Sequence, residues 1–231
     1  MTAANTIVHQ DHVDILSDGA IYDYDGALTA TVSKVWALPP LPAALTARGP
    51  AFLLPFLAVR VSDAAGSFDD LLPIIVEQAR KSAELDASLF EHHPAGQSFE
   101  LFVAGWSAQH RRAMAFTLAS FETCGRESWT LHDIGPGIVS PADEALGERI
   151  GDLEINLLSA DCVPEIDGLI LLEEQRARSW PITGTDRVEH IVGGHAQLTT
   201  VNEQGVTSRI LRRWPDRIGQ RIAPQAARIA A

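Results

Sequence analysis

Hydrophobic periodicity along this chain switches from the two-residue repeat of strands to the helical repeat and back, twice over, and few architectures accommodate that order. Thr6-Ile7-Val8 and Val13-Asp14-Ile15-Leu16 read as strands on either side of a short polar turn at His9–His12. Asp23-Tyr24-Asp25-Gly26 has turn chemistry, with Gly26 able to take positive φ. Residues 28–38, rich in Thr and Val, read as a strand ended by Pro39-Pro40, and 41–47 as a shorter one before Arg48-Gly49-Pro50. Helical spacing takes over in 51–60 and 68–89. Ser67 is the predicted N-cap of the second helix, with Asp69 and Asp70 in the first turn, where the helix dipole favours carboxylates. Pro73 either kinks this helix or moves its start later.

Strand alternation returns in 99–106 and 113–121, joined by a loop at 107–112, and a further strand is expected at 127–133. Ser140-Pro141 is expected to open a helix, the serine as cap and the proline at the first helical position. A longer helix is predicted over 164–179 from the spacing of Ile166, Leu169, Ile170 and Leu172. Ile191-Val192, 197–201 and 206–211 close the chain as strands, the last two joined by a turn at 202–205. This order suits an α+β four-layer αββα sandwich, with two antiparallel sheets between helical layers, because each sheet then has one face for the other sheet and one for helices. No period of about 20–50 residues repeats and no low-complexity linker divides the chain. Residues 1–214 are therefore read as a single domain and 215–231 as a mobile, arginine-containing C-terminal tail.

With 231 residues the chain can bury a sizeable core without disulfides or a structural metal. Its 18 Lys and Arg against 30 Asp and Glu give a net charge of −12, the wrong sign for a nucleic-acid platform. The charge is uneven: 205–231 carry Arg209, Arg212, Arg213, Arg217, Arg221 and Arg228 against Asp216, leaving −17 on the first 204 residues. That asymmetry predicts contact between the arginine-rich end and an acidic surface, as on a sister subunit. Together with the apolar segment 51–61 it predicts self-association into a homo-oligomer. The same segment contains Pro55 and Arg60 and falls far short of the ~20 residues a membrane span needs. Cys124 and Cys162 match no zinc or disulfide pattern, and with no secretory pattern at the start they fit a reducing, cytoplasmic compartment.

The residues that carry chemistry lie within the first fifty. Thr2, Asp18 and Lys34 are separated by 16 and 16 residues. Thr6-Ile7-Val8 enters a strand, Ile15-Leu16-Ser17-Asp18 leaves one, Ser33-Lys34-Val35 is expected inside one, and Ala47-Arg48-Gly49 follows as a glycine loop. In these motifs, and in its element order, the chain resembles the N-terminal-nucleophile (Ntn) hydrolases, and among them the proteasome β-subunit and HslV peptidase. The resemblance implies a threonine-type amide or peptide hydrolase that needs no cofactor and acts on a peptide or small amide. In it Thr2 is the nucleophile, Lys34 the neighbouring cation, Asp18 the group that orients the lysine, and the Gly49 N–H the oxyanion donor. The chemistry is self-consistent. A terminal threonine carries its own base, an α-amine with a pKa near 7.7–8.0, and a nearby lysine lowers the pKa of that amine and of the hydroxyl. A backbone N–H aimed at the oxyanion supplies electrostatic stabilisation. Lys34 is one of only two lysines, with Lys81, in an arginine-rich chain. The alternative is a non-catalytic structural or assembly subunit of the same fold, since Asn5 stands directly before Thr6-Ile7-Val8, where that family usually has threonine.

Other motifs are weaker. Asp23-Tyr24-Asp25-Gly26-Ala27-Leu28-Thr29 is similar to the opening motif of haloacid-dehalogenase-like phosphatases, with Asp23 as nucleophile and Asp25 as general acid and base. That fold needs a buried apolar strand before the first aspartate and alternating βα units after it; only Ala20-Ile21-Tyr22 precedes, so an Asp-Gly turn is the better reading. Gly135-Pro136-Gly137-Ile138-Val139-Ser140 lacks the third glycine of a phosphate loop and reads as a connection into a capped helix. His9 and His12, three apart on a hairpin, are expected on different faces. Neither they nor His92-His93, His190 and His195 have a carboxylate or cysteine at usual ligand spacing, so no metal site is expected. The scattered tryptophans read as core or interface anchors.

Overall fold

Small and apolar residues alternate on both faces of the long strands, and the chain arranges these strands as two five-stranded antiparallel sheets. A computed structural model describes residues 3–85, 90–91, 96–159 and 161–224. The first sheet holds β1 (Ala4–Val8), β2 (His12–Asp18), β10 (Gly137–Ile138), β13 (His195–Asn202) and β14 (Gly205–Arg213), in the order β10-β1-β2-β13-β14. The second holds β5 (Val35–Ala37), β6 (Ala43–Arg48), β7 (Glu100–Ser107), β8 (Arg112–Ala119) and β9 (His132–Asp133), in chain order. Two ribbons complete the strands: β3 (Ala20–Tyr22) with β4 (Leu28–Thr31), and β11 (Trp180–Pro181) with β12 (Val188–Glu189). The helices are α1 (Leu53–Ala64), α2 (Phe68–Leu85), α3 (Glu144–Asp152) and α4 (Leu169–Ala177), the last entered through a π-helical turn at Pro164–Gly168. The fold is mixed α+β, and no helix among the described residues is long and apolar enough to cross a membrane.

Strand alternation divides the core. Leu101 and Val103 of β7 and Ala43, Leu45 and Ala47 of β6 pack with Leu57, Val61, Phe68, Leu71 and Ile75 of α1 and α2. Their neighbours Ala44 and Ala104 join Ala113 and Ala115 of β8 and Val13, Ile15 and Val201 of the first sheet in a second cluster, so small residues line the contact between the sheets. Leu16 points the other way, toward Leu146 of α3 and Leu171 and Leu172 of α4. Fully burying one such Leu or Phe stabilises the fold by about 1.5–3 kcal/mol.

Several expected elements differ in extent. The strand expected over 28–38 divides into β4 and β5 because the chain crosses between sheets there: Val32 N–H bonds back to Gly19 O at 2.9 Å, while Val35 pairs with Thr46 of β6. Ser33-Lys34 thus lie in the crossing, not inside a strand. Helix α2 does start at Phe68 with Ser67 Oγ accepting from Asp70 N–H at 3.1 Å, and Pro73 sits within it; residues 86–89 of the expected helix lie outside the described residues. Ser140 does not cap α3. Its Oγ accepts from Arg48 Nη1 at 2.6 Å and its N–H bonds Asn5 Oδ1, leaving Asp143 as the cap, with its carboxylate accepting from Leu146 N–H at 2.7 Å. Of the strand expected at 127–133 only His132–Asp133 forms, and the helix expected over 164–179 is regular only from Leu169 to Ala177.

The structure bears on four further expectations. Asp23 is no phosphatase nucleophile in a parallel sheet: every described strand pair is antiparallel, and Asp23 Oδ1 closes a turn by accepting from the N–H groups of Asp25 and Ala27, both at 2.9 Å. Part of the segment after Pro215 packs onto the rest of the chain. Asp216 forms a buried ion pair with Arg176 at 2.6 Å, and Ile222 packs with Ala20 and Leu28. The arginines of that end meet acids of their own chain: Arg209 pairs with Glu165, Arg212 with Glu173 and Arg221 with Glu189. Finally, His9 and His12 share a face. The β1–β2 register pairs Val8 with Val13, so His9 and His12 are the next cross-strand pair, closed by a His9 N–H to His12 O bond of 2.8 Å. Opposite faces at odd spacing is a rule within one strand, and it reverses across a two-residue turn.

Candidate functional site

Asp18 ends β2 and is fully buried. Strand register brings three segments to it: Ala4 pairs with Ser17 on one side, Ala196 pairs with Asp18 on the other, and the β3–β4 ribbon begins two residues later. Its carboxylate accepts four hydrogen bonds. Oδ1 takes the Ala3 N–H at 3.0 Å and Lys34 Nζ at 2.8 Å; Oδ2 takes the Ala20 N–H at 3.0 Å and the Gly193 N–H at 3.1 Å. A buried carboxylate needs this degree of satisfaction, because an unpaired charge in the interior costs several kcal/mol, of order 3–5.

Lys34 is 6% exposed. Burial pulls its pKa below the ordinary amine value, while the Asp18 charge and hydrogen bond pull it back up. Asp18 comes from the first sheet and Lys34 from the crossing into the second, so their pairing also ties the two sheets together. Beside Lys34, Ser33 Oγ accepts from Gln197 Nε2 at 3.0 Å, and Gln197 Oε1 lies 3.4 Å from His195 Nε2. The buried His195 ring covers Gly19, where a Cβ would stand 2.3 Å from its Cε1. Burial pushes His195 below the ordinary imidazole value and so favours the neutral ring.

Gly49 follows β6 with φ +138°, and a Cβ there would stand 2.7 Å from Phe99 Cβ and 3.0 Å from Ser98 O, so only glycine fits. Gly49 and Lys34 line one cavity of about 650 Å³, whose remaining wall is largely apolar, with Tyr22, Trp36, Phe52, Leu54 and Ile182. Burial and the nearby Asp18 charge push the Tyr22 phenol up, so it is a neutral part of that wall.

Thr2 lies outside the described residues. Asn5 is in the middle of β1 and buried, its amide exchanging hydrogen bonds of 2.8 and 2.9 Å with Gln175 of α4. Its described partners, Gln175, Leu16 and Ser140, all lie outside the Asp18–Lys34 cluster. Gly193, His195 and Gln197 carried no sequence signal pointing to this site; only the pairing of β13 with β2 brings them here.

The antiparallel sheets with helices packed against them, and the ion pair at the strand ends, give this chain a proteasome-related fold. In particular, its fold is that of Anbu. The solved structure of Anbu (ancestral β-subunit) from Yersinia bercovieri matches at a TM-score of 0.64 with 10% identity, over 93% of this chain and 88% of that one. A mutant of Anbu from Hyphomicrobium sp. strain MC1 matches at 0.62 with 13% identity, over 94% and 90%. No family model and no curated protein matches the sequence. The likeness to the proteasome β-subunit and HslV read from the sequence is corrected by these matches: Anbu is proteasome-like but a distinct family. The motifs around Asp18 and Lys34 are too short to separate related families that share one fold.

Proposed function

We propose that this chain is an amide-bond hydrolase with Thr2 as its nucleophile, built as a four-layer αββα sandwich over residues 1–214. The observation that carries the reading is a shared acceptor: Asp18 Oδ1 takes both the Ala3 N–H, at 3.0 Å, and Lys34 Nζ, at 2.8 Å. Thr2 directly precedes Ala3 in the sequence. Once Met1 is removed, the Thr2 α-amine serves as base for its own hydroxyl, and the Lys34 ammonium stabilises the developing alkoxide. Asp18 holds Lys34 in orientation, and the Gly49 N–H stabilises the oxyanion of the tetrahedral intermediate. The apolar wall of the cavity favours substrates with an apolar side chain next to the scissile amide. The exposed Phe56 and Val59 on α1 support self-association with further copies of the chain.

The second reading, a non-catalytic assembly subunit, is favoured by one observation. Asp18 also binds the N–H groups of Ala20 and Gly193, so the cluster works as a structural knot whether or not it does chemistry. Hydrolysis of a panel of short peptide amides separates the readings. The Met1-free protein is expected to turn over, Thr2→Ala and Lys34→Ala to lose at least about 100-fold, and Asn5→Ala to remain largely active. No turnover in the Met1-free parent, or equal turnover in all variants, leaves the assembly reading.

A further inference from the structure

The tip of the β1–β2 hairpin carries a second polar cluster. Cross-strand pairing stacks the rings of His9 and His12 with centroids 4.2 Å apart, and Asp14, two residues on, lies on the same face of β2. One ligand atom of each lies within 4.8 Å of the others. Asp14 is nearly buried, and its Oδ1 accepts from Thr200 Oγ1 at 2.6 Å, which leaves Oδ2 facing the histidines. His12 Nε2 is 3.3 Å and His9 Nε2 3.9 Å from that oxygen. His12 Nδ1 is held by Asp11 Oδ1 at 2.7 Å, and donating its N–H there leaves the Nε2 lone pair turned on the carboxylate. Two lone pairs facing each other at that distance need a cation between them. A proton on His12 answers only part of the need, because His9 Nε2 is a buried nitrogen with no hydrogen-bond partner among the described residues.

We propose that His9 Nε2, His12 Nε2 and Asp14 Oδ2 form a binding site for a divalent transition-metal ion of borderline softness, such as Zn²⁺. Two imidazoles and a carboxylate are the donor set such ions prefer. Bonds of about 2.0–2.2 Å in tetrahedral geometry put donor atoms ~3.4 Å apart, close to the spacing already present. Asp11 and Thr200 are the outer partners that orient a ligating imidazole and carboxylate. Three protein ligands leave a fourth position for water or for a group from a partner. The site is distinct from the Asp18 cluster. The two lie toward opposite ends of β2, with Asp14 ~13 Å and His12 ~20 Å from Asp18 along the strand at ~3.3 Å per residue. Its direct effect is to pin the tip of the hairpin whose other end carries Asp18.

The test is Zn²⁺ titration of the metal-free full chain in competition with a chromophoric chelator, with Co²⁺ absorption as a report on ligand number. One equivalent is expected to bind at micromolar affinity or tighter. His9→Gln and His12→Gln are expected to weaken binding at least about tenfold, and Asp11→Asn about tenfold through loss of orientation. His132→Gln, which removes a histidine of β9 at the edge of the second sheet, is expected to change nothing. Because the glutamine variants stand at the hairpin surface, circular dichroism is expected to match wild type. Binding no tighter than millimolar, or equal affinity in the His9 and His12 variants, overturns the proposal.

Discussion

Lys34 shows how much can rest on a single side chain. Its ammonium is nearly buried against a carboxylate that is wholly buried, so deleting the charge strands Asp18. Lys34→Met is expected to cost about 3 kcal/mol in denaturant unfolding, although the new side chain is apolar and similar in length. A loss below about 1 kcal/mol would mean that the three N–H donors to Asp18 suffice without the cation. His195 gives a pH signature. Burial holds it below its ordinary value in the folded chain, so the unfolded chain binds more protons between the two values. Its contribution to stability is complete above pH ~6.5 and is lost as pH falls through the lower folded value. The melting temperature is therefore expected to drop between pH 7.5 and 5.5, and to drop less in His195→Gln. An equal drop in both proteins would assign the effect to other groups.

Among the elements, the junction of β1 with α4 and the start of α3 depend on identifiable polar bonds. Asn5 and Gln175 satisfy each other in the interior, and Gln175 Nε2 also reaches Pro141 O at 2.8 Å. Asn5→Ala leaves part of the Gln175 amide unpaired and takes the acceptor from the Ser140 N–H, and is expected to cost about 2 kcal/mol, while Asn5→Ala with Gln175→Leu recovers only the Gln175 share of it. A double variant as unstable as the single would show that packing, not the amide pair, holds the junction. Asp143→Ala removes the cap of α3 and is expected to cost about 1 kcal/mol in the same assay. Asp143 was passed over in the sequence because Ser140-Pro141 offers a conventional cap and first-turn proline. Nothing in the local spacing says that Ser140 is already engaged by Arg48 and Asn5.

At the scale of the whole molecule, charge and apolar surface are partitioned differently from what composition suggests. Three arginines of β14 and the segment after it, Arg209, Arg212 and Arg221, pair with Glu165, Glu173 and Glu189 of the same chain, so part of that positive charge is already matched within the chain. Most of the apolar segment 51–61 is likewise internal, with Leu53, Leu54, Leu57, Ala58 and Val61 in the core. What remains of that segment for self-association is the outer side of α1, with Val59 65% and Phe56 43% exposed. Sedimentation at micromolar concentration is expected to show an oligomer that survives added salt and dissociates in Val59→Asp. A monomer at every concentration, or an oligomer that Val59→Asp leaves intact, would place the contact elsewhere or remove it.

Local periodicity and turn chemistry were enough for most of the strands and helices, the Ser67 cap and the Asp23 turn, because each depends on side chains within a few positions of one another; Asp18 and Lys34 stood out only through the family resemblance. They could not say that Asp18 meets Gly193, that Lys34 lies in a crossing between sheets, that His9 and His12 share a face, or which acids the arginines reach. Those outcomes depend on strand register and on which sheet a segment joins, and these are set by the packing of alternating side chains against distant partners, 175 residues apart for Asp18 and Gly193. The same limit explains why short motifs point to the proteasome β-subunit and HslV while the solved structures that match are of Anbu: a few residues around one ion pair are compatible with several related families, and only the arrangement of the whole chain can be compared as a fold.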